Sequence, residues 1–151
     1  MFVRATLLIF SSLLISILAG TSEEGIRWLA AKAAEEGVIK LPSGLLYREL
    51  SAGTGKTPTI DSPTVCHYEG KLPDGTEFDS SFKRGEPLTF APNQVIKGWT
   101  EAMQLMKEGA KWELFIPSEL GYGDRGAGSL IPGGSPLHFV MEMIEVKGSS
   151  K

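Results

Sequence analysis

The residues able to do covalent or acid–base chemistry are few in this chain and poorly placed for it. Cys66 and His67 are neighbours, and His138 is the second histidine. The Cys66–His67 pair sits in "TVCHYEGKL", a run that alternates like a strand, and adjacent strand residues point to opposite faces. The pair cannot work together there, and Cys66 reads as a small core hydrophobe. With a single cysteine, neither an intrachain disulfide nor a cysteine-based zinc site is available. The histidines have no thiol or acidic partner at ligand spacing. No G-x-S-x-G elbow occurs, so Ser-His-Asp chemistry lacks its frame. "GTGKT" at residues 53–57 resembles part of a phosphate loop, but Leu50 stands where the first glycine of the motif belongs. Glu77 and Asp79 are two apart on one strand and read as a solvated face. Neither a metal nor a cofactor is expected.

What remains is a supply of aromatic and branched apolar residues beside turns: Tyr68, Phe78, Phe90, Val95, Ile96, Trp99, Tyr122, Ile131 and Phe139. In "QVIKGWTEAMQLM" Trp99 follows a glycine in the first turn of an amphipathic helix. It is either an ordinary core anchor or the floor of a pocket. The glycine-rich stretch over residues 119–136 carries Tyr122, Leu130 and Ile131, which a purely solvated loop rarely holds. A loop folded over an apolar pocket accounts for them.

These residues need elements to position them. "TVCHYEGKL" puts Val65, His67 and Glu69 on one side and Cys66, Tyr68 and Gly70 on the other. "PDGT" is a turn signal, and "EFDSSF" is expected to return as a second strand. "GLLYREL", "PLTFAP" and "KWELFIP" read as further extended pieces. Residues 136–147 form the longest strand, alternating Leu137, Phe139, Met141 and Met143 against His138, Val140, Glu142 and Ile144. One strong helix is expected inside the domain, over residues 98–107. Val95, Ile96, Trp99, Ala102, Met103 and Met106 form its inward side. The fold class is therefore α+β, a mostly antiparallel sheet with one short helix covering its apolar face.

Length and composition agree. The chain has 151 residues, 42% hydrophobic and 22% charged, enough for one core without staples. A net charge of −3 excludes the basic footprint of a nucleic-acid binder.

Ahead of the domain stand two further segments. "MFVRATLLIFSSLLISILAG" has one cation, Arg4, then an apolar run ending in small residues. The run is shorter than the ~20 residues a spanning helix needs. Residues 1–20 read as a cleaved signal peptide directing the chain to the secretory pathway (endoplasmic reticulum lumen, periplasm or exterior), with an uncleaved membrane anchor as the alternative. Residues 22–37 are helical, with Ser22 as N-cap, Glu23 and Glu24 in the first turn and Gly37 as the stop. Ile26, Leu29, Ala30 and Ala33 form a narrow apolar stripe. Trp28 lies off that stripe and reads as an aromatic resting on the domain. The expected divisions are 1–20, 21–41, 42–147 and a tail over 148–151.

In order and spacing, HYEG, DG-x-x-FDSS, VI-x-GW, the Tyr122-Gly123 pair and L-x-F-x-M-E closely resemble the FKBP-type peptidyl-prolyl cis-trans isomerases, from about Pro42 to Val146. The segment before them is similar to the lead-in of the macrophage-infectivity-potentiator branch. The resemblance implies a curved antiparallel sheet wrapped around one short helix, and a hydrophobic pocket between them. It assigns Tyr68, Asp79, Ile96, Trp99, Tyr122 and Phe139 to catalysis, and Phe78, Phe90, Val95, Ile131 and Leu88 to substrate binding. Trp99 would be the floor, the Ile96 N–H and Tyr122 hydroxyl would be donors, and Arg84 would support Asp79. Two rim positions depart from the family: Leu88 stands where an aromatic residue is common, and Ala127 where the best-known members have histidine. The implied partners are proline-containing polypeptides, with macrolides of the rapamycin class as inhibitors. The alternative is a non-catalytic module gripping proline segments in the same pocket. Only about sixteen residues separate the signal from Gly37, so a monomer is expected rather than the branch's helical dimer.

Overall fold

The computed structural model describes residues 20–148. The expected signal peptide, apart from Gly20, and the tail beyond Gly148 lie outside the described residues.

A seven-stranded antiparallel sheet forms the body of the domain. Its strands are β1 (Val38–Lys40), β2 (Leu46–Ser51), β3 (Thr64–Lys71), β4 (Glu77–Ser80), β5 (Leu88–Phe90), β6 (Lys111–Ile116) and β7 (Leu137–Val146). The order is β1-β2-β6-β7-β3-β4, and β5 pairs with the first half of β3 while β4 pairs with its second half. The alternation of β3 and β7 sets which face is inside. Cys66, Tyr68, Leu137, Phe139, Met141 and Met143 are buried together, and across β3–β7 Tyr68 sits opposite Met141 and Gly70 opposite Phe139. Bulges in the strands beside β3 bend the sheet, at Ile144 in β7 opposite Val65 and Cys66 and at Phe78 in β4 opposite Gly70 and Lys71.

Three helices accompany the sheet among the described residues: α1 (Glu23–Ala33), α2 (Ser81–Arg84) and α3 (Lys97–Met103). The central helix α3 buries Trp99, Ala102 and Met103 on the inner face of the sheet, with Met106 just beyond. Burial of each methionine contributes roughly 1.5–3 kcal/mol. The helix can approach this closely because Gly98 has no side chain; a Cβ there would stand 2.8 Å from Ile116 Cγ2.

Three expectations are corrected. The "EFDSSF" segment is not one strand. Ser80 accepts a hydrogen bond from the Lys83 N–H and caps α2, and Gly85 in the left-handed conformation ends it. The central helix is shorter than residues 98–107, and the helix expected over 22–37 ends at Ala33. Its continuation turns and enters β1, so the sheet begins at Val38. Helix α1 leaves Ile26, Ala30 and Ala33 exposed and rests Trp28 on the domain, the place read for it from the sequence. It docks through Gly25, Trp28 and Lys32. Trp28 meets Phe115 edge-on at 5.8 Å and His138 at 6.3 Å, and Lys32 lies 5.6 Å from the Phe115 ring centroid. The outer face of β2, β6 and β7 offers aromatic rings and charges there. A glycine for close approach, one tryptophan and a long ammonium stem match it better than a stripe of alanines.

Candidate functional site

The inner face of the sheet, the start of α3 and the loop after β6 enclose a cavity of about 630 Å³. Strand β3 supplies Tyr68, β4 supplies Phe78 and Asp79, and β5 supplies Leu88 and Phe90. Gln94, Val95 and Ile96 come from the turn before α3. Trp99, Tyr122 and Phe139 complete the lining.

Trp99 stands at the centre of an aromatic box. Its ring lies 4.9 Å from Tyr68 and 5.0 Å from Phe139, both edge-on, and 5.3 Å from Phe90 in a tilted arrangement. Phe139 in turn meets Phe78 edge-on at 5.5 Å. Such pairs orient rings by their quadrupoles and hold the walls in place. Gly70 is what lets Phe78 and Phe139 meet, since a Cβ there would stand 2.6 Å from both rings. Trp99 is thus an anchor and a floor at once, with 6% of its surface exposed and one face of the cavity formed by it. Its indole Nε1 is buried and has no hydrogen-bond partner among the described residues.

One polar cluster interrupts the apolar lining. The Tyr68 hydroxyl donates to Asp79 Oδ2 at 2.5 Å, Arg84 pairs with Asp79 Oδ1, and Arg84 Nη2 donates to the Tyr68 hydroxyl at 3.1 Å. Burial works against ionisation of Asp79, but the bonds from Tyr68 and Arg84 together prevail and hold its carboxyl below the ordinary range. The Tyr68 phenol is pushed up, first by burial and then by the neighbouring carboxylate. Helix α2 is tied to this cluster from below. The buried Ser81 hydroxyl accepts from the Tyr68 N–H at 2.7 Å and lies 2.8 Å from His67 Nδ1.

Two donors border the apolar part. Ile96 is extended (φ −61°, ψ 152°) immediately before α3, so its N–H lies outside the helical ladder. The Tyr122 hydroxyl belongs to a residue 40% exposed, and its phenol is raised by burial and by Asp79.

Ten of the eleven residues singled out from the sequence share this cavity. Ile131 does not line it. The Ala127–Ile131 bridge, with N–H to carbonyl distances of 2.9 and 3.1 Å, turns Ile131 into the core, where 7% of it is exposed. Sequence reading missed Gln94. Its Oε1 accepts from the Ala91 N–H at 2.8 Å and closes the turn Pro92–Gln94. A lone glutamine in a loop gives no signal of that. Cys66 is buried on the far side of β3 from His67, and burial pushes its thiol up to about 12, so it is an inert thiol. No cluster of three or more metal-ligating side chains occurs among the described residues.

Comparison with known proteins gives a consistent result. Residues 54–144 match the family described as FKBP-type peptidyl-prolyl cis-trans isomerase. The chain is 52% identical over 128 residues to the macrophage infectivity potentiator of Trypanosoma cruzi, covering 84% of this chain and 65% of that protein. It is 50% identical over 123 residues to the FKBP-type 22 kDa peptidyl-prolyl cis-trans isomerase of Escherichia coli, covering 82% and 60%. The outer membrane protein MIP of Legionella longbeachae is 45% identical over 124 residues, covering 82% and 53%. The chain thus spans between half and two thirds of the length of these relatives. Among solved structures, the peptidyl-prolyl cis-trans isomerase of Pseudomonas syringae superposes with a TM-score of 0.78 at 42% identity, covering 83% of this chain and 92% of that one.

Proposed function

The chain belongs to the FKBP-type peptidyl-prolyl cis-trans isomerase family, and from that premise we propose that it accelerates rotation about X-Pro bonds of folding or secreted polypeptides in the Trp99 cavity. The observation that carries the proposal is the pairing of an aromatic box with unengaged donors at its border. A proline ring stacks on Trp99 between Tyr68, Phe90 and Phe139, and the Ile96 N–H and Tyr122 hydroxyl face the substrate carbonyls.

Rotation of a peptide bond faces a barrier of ~18–20 kcal/mol because the planar amide is resonance-stabilised. At the top of that barrier conjugation is lost, and the amide is less dipolar than in the ground state. An apolar wall therefore disfavours the planar form more than the twisted one. Donors at fixed positions hold the flanking carbonyls while the bond turns. A thousandfold acceleration needs ~4 kcal/mol of preferential binding of the twisted state. Asp79, held by Tyr68 and Arg84, keeps the polar end of the cavity ionised and in position. In this scheme Tyr68, Asp79, Ile96, Trp99, Tyr122 and Phe139 act in catalysis, and Phe78, Phe90, Val95 and Leu88 grip the substrate. Ile131 supports the loop from the core.

An assay of X-Pro rotation on short peptides tests this. Trp99→Leu and Phe139→Ala are expected to lower kcat/KM at least tenfold, while Cys66→Ala leaves it unchanged. A wild-type chain that binds proline peptides without speeding rotation would establish the non-catalytic alternative instead.

The finer proposals have their own tests. Inhibition by macrolides of the rapamycin class follows from the box, with affinity lowered by Leu88 and Ala127 at the rim, read by titration calorimetry. A secretory-pathway location is supported by the pattern of residues 1–20 and by a relative that carries an outer-membrane name. No helix among the described residues is long and apolar enough to cross a membrane. A monomer is proposed, checked by light scattering.

A further inference from the structure

Thr21, one residue ahead of the Ser22 N-cap of α1, is held by several bonds. Only 3% of it is exposed. Its backbone N–H donates to Glu119 Oε1 at 2.9 Å, and its hydroxyl lies 3.1 and 2.9 Å from the two Glu119 carboxylate oxygens. The same hydroxyl accepts from the Ser118 N–H at 3.0 Å and lies 3.1 Å from Ser118 Oγ. The following N–H, of Ser22, donates to the Gly134 carbonyl at 2.9 Å. Two consecutive residues thus fasten both ends of the loop over residues 119–134, and that loop carries Tyr122 into the cavity.

Glu119 is the unusual member. It forms no ion pair with a side chain among the described residues, and Lys40, which lines the same hollow, is not bonded to it. Its carboxyl is nevertheless held below the ordinary range. Burial opposes this, and the bonds from its own N–H and from Thr21 outweigh it. Both oxygens of an anion are therefore directed at one residue that, within an intact chain, offers it no charge. Thr21 is also the first residue after the small-residue end of the expected leader.

We propose that hydrolysis of the Gly20–Thr21 peptide bond creates an α-ammonium group that pairs with Glu119 and fixes the loop carrying Tyr122 in the mature protein. Water adds to the Gly20 carbonyl carbon, the C–N bond breaks, and a signal-type endopeptidase supplies the catalysis. Gly20 leaves with the leader as a carboxylate, and the Thr21 nitrogen takes up two protons, one from the attacking water and one released when the new carboxylic acid ionises, to become an ammonium. The nitrogen already stands 2.9 Å from Glu119 Oε1, so the neutral donor becomes a charged one without moving. Charge-assisted hydrogen bonds are roughly twice as strong as neutral ones. An ammonium two residues before Glu23 faces the positive end of α1, and Glu23, Glu24 and Glu119 supply the compensating negative charge.

The proposal rests on reading residues 1–20 as a removable leader, and the experiment separates the two. The full-length chain is exported from a secretory host, and the recovered protein is analysed by intact mass and N-terminal sequencing. Its α-amine is then acetylated at pH 7 and mapped, beside Glu119→Gln and Glu119→Ala variants, with hydrogen exchange followed over residues 119–134. Thr21 is expected as the first residue. Its amine should react at least tenfold more slowly than in either variant, and the loop amides should exchange at least threefold faster in the variants. An intact leader overturns both the leader and the ion pair. A first residue other than Thr21 overturns the ion pair and leaves the leader standing. Equal amine reactivity in all three proteins, with Thr21 first, overturns the ion pair alone.

Discussion

Trp99 shows how one residue serves two ends. Its ring packs against Tyr68, Phe90 and Phe139 and also lines the cavity. Tyr122 is the complementary case, a half-exposed residue whose hydroxyl borders the cavity. Removing that hydroxyl takes away a substrate contact and little else. Tyr122→Phe is expected to lower kcat/KM about three- to tenfold, the equivalent of one hydrogen bond of about 0.5–1.5 kcal/mol, with the melting temperature unchanged. Asp79 carries the pH behaviour. Its carboxyl is lower in the folded protein than in the unfolded chain, so its contribution to stability is fully present above the ordinary aspartate range and is lost as pH falls through the folded value. Tyr68 and Tyr122 are both raised above the ordinary tyrosine value. The rate of X-Pro rotation is therefore expected to be flat from pH 7 to 9, and the Tyr68–Asp79–Arg84 cluster to fail only in acid. A profile that changes severalfold between pH 7 and 9 would show another group in control.

Strands and helices create the cavity by what they leave out as much as by what they bring. Gly70 in β3 makes room for Phe78 from β4 and Phe139 from β7, and Gly98 lets α3 settle on β6. Gly70→Ala would drive a methyl group into two aromatic rings. It is expected to reduce kcat/KM at least tenfold while circular dichroism shows the sheet retained, because the strand register does not depend on the missing side chain. Unaltered activity would mean that Phe78 and Phe139 need not stand as they do. Helix α2 is a second example of an element set by small contacts. Ser80 starts it, Gly85 stops it, and Ser81 fastens it to β3 beside Tyr68.

Across the whole molecule, the two faces of the sheet have divided roles. The inner face holds the core and the cavity, and the outer face of β2, β6 and β7 receives α1. There Arg48 donates to Glu113 Oε1 through two nitrogens, at 2.8 and 2.6 Å, and to Glu35 Oε1 at 3.0 Å, while Glu113 Oε2 lies 2.7 Å from His138 Nε2. Trp28 covers Phe115 over this network. Trp28→Ala is expected to lower the unfolding free energy by about 1–3 kcal/mol, from lost burial and ring contact, with kcat/KM unchanged. Denaturant melts and the rotation assay on the same preparation check both halves. A drop in activity equal to that of a cavity variant would show that the two faces are coupled.

Strand alternation in β3 and β7 determined the inner face from the sequence alone, because side-chain direction has period two and the apolar residues obey it. The spacing around Val95, Ile96 and Trp99 likewise determined which side of α3 faces in. Short-range chemistry was harder to read where it was decided by single bonds, as with the cap at Ser80 that turned an expected strand into α2. Only the tertiary structure decided three things: that Ile131 serves the core, that Gln94 reaches the cavity, and that Trp28 of α1 rests on Phe115. Each depends on a contact that the pattern along the chain does not state: a bridge at Ala127, a turn over the box, or a ring from β6. Periodicity along a chain records which side of an element is apolar. It does not record which partner that side will meet.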